Sequence, residues 1–137
     1  MRSRRSLVYV RFVFSDVHHF SNFETGVFQA AARLREDPSL PEYEYAVLLE
    51  LGDWFNLHLE KPARFTNSKP PYYRKQSRAI SWFKDTAAEH IVRAREMVFI
   101  LENHGIHVRM ITTDRPGYVV YEDEFQVVAE PFADAEF

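Results

Sequence analysis

Residues 7–14 are apolar at every position but Arg11. Val8, Val10, Phe12 and Phe14 form one wholly apolar face, and Arg11 marks the other face as partly exposed, which predicts a β-strand. Asp16-Val17-His18-His19 then reads as a loop. Beyond it the period changes to that of a helix, with Phe23, Val27, Ala30, Ala31 and Leu34 on one side. Ser21 and Glu24 have capping-box spacing, and Asp37-Pro38 ends this helix near Glu36. A second capping box, Ser39 with Glu42, opens the next helix, with Pro41 tolerated in its first turn. Its predicted buried stripe is Tyr45, Leu48, Leu51, Phe55 and Leu59, widened by Val47, Leu49, Trp54 and Leu57. Gly52 marks either a close helix crossing or a kink.

From 60 to 78 the pattern dissolves into prolines and polar residues, a connection longer than the usual two to eight residues. A short strand is predicted at 79–83. A third helix follows, capped by Asp85 or Thr86, with Ala87, Ile91, Ala94, Val98 and Leu101 on its stripe and Gly105 just past its end. The continuous apolar run 97–101 makes it the most buried helix. Three strands close the chain, at 106–112, 118–121 and 125–129, and Pro116-Gly117 takes the centre of a type II turn. The order β-α-α-loop-β-α-β-β-β predicts an α+β fold, a mainly antiparallel sheet of four to five strands with three helices on one face. Residues 79–112 fit one right-handed crossover.

A length of 137 residues fits a single domain. Within it, residues 1–6 are expected to be a flexible N-terminus, 60–78 a long basic loop and 131–137 an acidic tail. With no cysteine, the chain has no disulfide, thiol nucleophile or thiolate zinc site. Ser3-Arg4-Arg5-Ser6-Leu7 looks like a twin-arginine export signal. The apolar run behind it is only eight residues long, carries Arg11 and lacks a small-residue cleavage site, so a cytoplasmic location is expected. No stretch approaches the roughly 20 apolar residues of a membrane span, and no membrane partner is expected.

Charge is segregated more sharply than anything else in the chain. Residues 61–84 carry seven bases and no acid: Lys61, Arg64, Lys69, Arg74, Lys75, Arg78 and Lys84. Residues 116–137 carry six acids and no base, within a chain of formal charge −3. Tyr72 and Tyr73, with Phe65 and Trp82, interleave the basic stretch and suit it to phosphate contact with base stacking. The competing reading is a solvated loop facing the domain's own acidic tail. Overall acidity makes nucleic acid the less favoured ligand, because nucleic-acid-binding domains are usually basic.

Catalytic motifs are missing. There is no GxSxG, phosphate-cradling glycine loop, HExxH or EF-hand pattern. Asp16 with His18 and a distant residue is the best metal candidate, and its spacing is unconvincing, so neither metal nor cofactor is expected. Glu122-Asp123-Glu124 could pair carboxylates for proton transfer but fits a turn better. Thr112-Thr113-Asp114-Arg115 could line a site or belong to a hairpin. Trp54-Phe55 and Trp82-Phe83 read as core before they read as ligand walls. The resulting expectation is a small binding or accessory module that contacts an anionic or protein partner through residues 61–84. The alternative is a small enzyme acting on a phosphorylated or carboxylated metabolite, with Arg74, Arg78 or Lys84 holding the anion and a histidine or carboxylate moving the proton. Exposed aromatics and a free sheet edge make a homodimer the expected assembly.

Overall fold

The computed structural model describes residues 7–14, 25–61 and 79–134. The elements are β1 (Tyr9–Phe14), β2 (Thr25–Gly26), α1 (Val27–Arg35), α2 (Glu42–His58), β3 (Ile80–Lys84), α3 (Ala88–Asn103), β4 (Arg109–Thr113), β5 (Tyr118–Glu122) and β6 (Gln126–Glu130). Three helices and a sheet whose β1–β2, β1–β3, β3–β6 and β5–β6 pairs are antiparallel make the fold α+β, in the element order that the hydrophobic pattern predicts. The two-residue β2 is an addition to that order. Strands follow the order β2-β1-β3-β6-β5, and β4 pairs with β1.

The chain forms two compact units. The first comprises Met1–Arg11, Lys61–Ala88 and Thr112–Phe137. At its centre β6 runs between β3 and β5, with Trp82 opposite Val127 and Ser81 opposite Val128. Both edges of β6 are hydrogen-bonded, and every one of its residues is buried. A register shift between Val119 and Tyr121 bulges the outer strand β5. At the start of β5, Gly117 has φ +132°. A Cβ there would collide with the Glu130 carbonyl oxygen and lie 2.6 Å from its carbon, so close backbone approach demands glycine. β4 and β5, which flank Pro116-Gly117, pair with different strands, so the segment joins elements of the sheet that are not neighbours. The reading of Thr112-Thr113-Asp114-Arg115 as part of a hairpin fails on that point.

The second unit comprises Phe12–Glu60 and Glu89–Ile111. α2 and α3 lie antiparallel: His58 near the end of α2 meets His90 at the start of α3, while Glu44 near the start of α2 meets His104 beyond the end of α3. α1 packs by Phe28 edge-on against Phe55 of α2, at 4.8 Å between ring centroids. The unit's largest fully buried side chains are Leu48, Met97, Leu101 and Val13.

Helix boundaries depart from both capping-box expectations. Ser21 and Glu24 lie outside the described residues. Thr25 and Gly26 pair with Phe14 and Val13, so α1 starts only at Val27. Ser39 does not cap α2, because its backbone N–H and its hydroxyl both donate to Asp37 Oδ1 (2.9 and 2.7 Å) and the helix begins after Pro41. The stripe of α2 is Glu44, Leu48, Leu51 and Phe55, leaving Tyr45 exposed. Gly52 makes neither a close crossing nor a break: α2 is continuous, and a Cβ at Gly52 would meet nothing within 4 Å. The stripe of α3 is rotated to His90, Ala94, Met97, Ile100 and Leu101, with Ile91 and Val98 half-buried. Its end follows expectation. Ile106 N–H reaches Leu101 O and Gly105 N–H reaches Glu102 O, the paired bonds of a Schellman motif, with Gly105 at φ +78°.

Candidate functional site

The basic stretch leaves α2 at Lys61, which is exposed, and ends in β3 at Lys84. Arg64, Lys69, Tyr72, Tyr73, Arg74, Lys75 and Arg78 lie outside the described residues. Strand pairing fixes the one end that can be followed. Lys84 N–H donates to the Phe125 carbonyl (2.9 Å), and the Lys84 ammonium sits 2.7 Å from Glu122 Oε2 at the end of β5. Lys84 is thus neutralised by an acid of the C-terminal region, the arrangement required by the competing reading at this position. His18, His19 and Asp16 also lie outside the described residues, so of the groups required by the enzymatic alternative only Lys84 and Glu122 are brought together here.

The acidic triplet 122–124 divides its roles. Asp123 Oδ1 accepts the N–H groups of Phe125 and Gln126 (2.9 and 3.1 Å), while Oδ2 accepts the Tyr121 hydroxyl and the Gln126 amide (3.0 and 2.9 Å). Burial pushes the Asp123 carboxyl up. The four hydrogen bonds to its charged form outweigh that effect and hold it below the ordinary carboxylate range. A carboxylate with both oxygens committed to a turn is an organiser of the β5–β6 connection and is poorly placed to take a proton from a substrate.

Arg11 of β1 donates to the Ser81 carbonyl (2.9 Å), and burial lowers its pKa. At the other end of the first unit, Phe132 is clasped between the Tyr118 ring, edge-on at 4.7 Å, and the Arg115 guanidinium, 5.1 Å from its centroid. These contacts tie the segment after β6 back to the start of β5, and Thr113 Oγ1 accepts the Arg115 N–H (3.0 Å).

The histidines of the second unit do not converge. His90, buried, contacts the His58 carbonyl through Nε2 at 2.7 Å, and a carbonyl partner requires that nitrogen to carry the proton. His58 Nδ1 likewise faces the Trp54 carbonyl (2.8 Å), and its ring stacks on Trp54 at 4.4 Å. His104 Nε2 lies 3.1 Å from both oxygens of buried Glu44, whereas His107 turns to Glu102 (3.4 Å). Among the described residues no three histidine or carboxylate groups gather as a metal site. Three members of the two Trp-Phe pairs, Phe55, Trp82 and Phe83, are buried core. Trp54 is only half-buried, with the Arg93 guanidinium 5.0 Å from its ring centroid. Sequence reasoning missed the outward side of this helix pair. Its signal was the breadth of the apolar stripe on α2, wider than one buried face requires. Among the described residues no helix is long and apolar enough to cross a membrane. No family model, curated protein or solved structure matches the chain.

Proposed function

We propose that the protein is a small binding or accessory module that contacts an anionic or protein partner through residues 61–84. The observation that carries this reading is the charge purity of the stretch, seven bases and no acid interleaved with aromatics. Lys84, at the end of the stretch, is committed to Glu122 of β5, so the reading rests on the bases of 61–78. Long connections on an ordered scaffold are where binding residues concentrate. Homodimerisation is compatible with this role, because two copies would double the basic surface available to one partner.

Replacing Arg74, Lys75 and Arg78 together with glutamine tests the proposal. Labelled single-stranded RNA and DNA, and a Glu-rich peptide, are titrated at two salt concentrations with parent and variant. The expected result is unchanged folding with binding that weakens in the variant and in salt. Equal affinities for parent and variant, or no binding tighter than about 0.1 mM to any of the three probes at low salt, would overturn it. If RNA or DNA is the ligand, Tyr72→Ala and Tyr73→Ala each weaken binding by about 1–3 kcal/mol.

A further inference from the structure

α2 carries two apolar stripes. One is the buried stripe already described. The other is Tyr43, Val47, Trp54 and Leu57, which with Glu50 advances in alternating steps of four and three residues, the spacing of a helix–helix seam. This second stripe is open to solvent: Leu57 is 82% exposed and Tyr43 72%. It runs along the side of α2 that faces α3, since Trp54 within it is touched by His90 at 4.9 Å and by Arg93 at 5.0 Å. On α3, Val92 and Phe99 stand one turn either side of Arg95 and Glu96, 54% and 69% exposed. Val92 and Phe99 lie opposite the buried stripe of α3, so the second stripe of α2 is a single apolar face in water, bordered by α3 at Trp54.

Its charge is one-sided. From 36 to 60 the chain has seven acids and no Lys or Arg. Among the described residues, Glu42, Glu50, Asp53 and Glu96 take part in no ion pair. Arg93 is held over Trp54 and by Glu89 (3.5 Å), and Arg95 lies over Phe12 at 5.9 Å. Exposed apolar anchors at helical pitch beside unpaired carboxylates are the complement of a helix with apolar residues on one face and lysine or arginine on its flanks. We infer that the outer face of α2 is a docking surface for a cationic amphipathic helix of a partner protein. From Tyr43 to Leu57 it spans about 21 Å, the length of about four helical turns. A second copy of this chain fits less well, because it would bring another acidic α2 to the same place. This surface shares no residue with the 61–84 stretch and would give the module a second contact of opposite charge.

A fluorescein-labelled 14-residue Leu/Lys peptide with leucines at helical spacing is the probe, read by anisotropy. Its controls are a peptide of the same composition in strict alternation and a Leu/Glu peptide with the helical pattern. The parent protein is expected to bind the helical Leu/Lys peptide at least about tenfold more tightly than either control. Tyr43→Ser with Leu57→Ser, both at solvent-facing positions, should lower that affinity at least about tenfold, and so should Glu50→Lys. The Arg74, Lys75, Arg78 to glutamine variant should retain it. Circular dichroism verifies the fold of each variant, and Glu50→Lys alone carries the test if the double variant unfolds. Equal binding of the helical and alternating Leu/Lys peptides would reduce the effect to bulk charge and overturn the inference. Unchanged affinity in the variants would also overturn it. Sedimentation showing a parent dimer that Tyr43→Ser with Leu57→Ser converts to monomer would assign this face to a second copy instead, overturning the partner-helix proposal.

Discussion

Asp123 shows how one side chain can serve structure where composition hints at chemistry. Its oxygens take four hydrogen bonds within the β5–β6 connection, two from backbone N–H groups. Removing them by Asp123→Ala should destabilise the protein by about 1–3 kcal/mol, toward the lower end because the group is partly solvated. The sign of the pH dependence follows from its depressed pKa. The stabilisation is present above the unfolded-state pKa of about 3.9 and is lost as pH falls through the lower folded value. Chemical denaturation from pH 6 to about pH 2 should therefore show a parent advantage over Asp123→Asn that disappears at the acid end. Asp37, held below the ordinary range chiefly by the Ser39 N–H and hydroxyl, acts in the same direction but is fully solvated. Glycines offer a sharper contrast. Gly117→Ala forces a Cβ into the Glu130 backbone and should cost several kcal/mol, whereas Gly52→Ala meets open space in mid-helix and should stabilise by about 0.5–1 kcal/mol. Thermal midpoints moving in the same direction for both would refute this assignment.

At the scale of elements, helix and strand type followed from hydrophobic period, and helix orientation did not. On α3 the apolar residues extend around much of the circumference, so a stripe through Ile91 and Val98 and one through Met97 and Ile100 look equally plausible. The structure buries the second and leaves Phe99 outside. Leu101→Ala should accordingly cost about 2–5 kcal/mol through the cavity it leaves in the second unit, and Val98→Ala distinctly less. Equal losses on urea unfolding would mean that α3 is turned the other way. α2 poses the same problem at its start: a serine in capping-box spacing is diverted to Asp37, and local competition for one hydroxyl decides where the helix begins.

Across the whole molecule, the organising feature is charge. The chain concentrates bases in 61–84 and acids in 116–137, and Lys84–Glu122 is one place where the two meet. Glu122 is nearly half exposed, so this pair contributes about 0–1 kcal/mol and is screened by salt. If the remaining bases serve a partner, raising salt from about 0.02 to 0.5 M should shift the melting temperature equally in the parent and in the Arg74, Lys75, Arg78 to glutamine variant. A larger salt-induced loss in the parent would show that the bases chiefly neutralise the protein's own acids.

Several features were determined by the chain alone. The apolar run of β1, the helical runs of α1 to α3, the Schellman glycine at Gly105 and the element order are local, because periodicity, caps and φ preferences act within one or two turns. The candidate surface at 61–84 was legible for the same reason, as charge purity is a property of composition. Partners across space were another matter. That β4 pairs with β1, a hundred residues away, while the adjacent β5 pairs with β6 is invisible to a pattern of period two, which marks a strand's buried face and carries no information about its neighbour. Gly117 was legible as a turn residue, but its close approach to Glu130 exists only once β6 is in place. The outer face of α2 likewise became visible only when packing had used one of its apolar stripes and left the other in water.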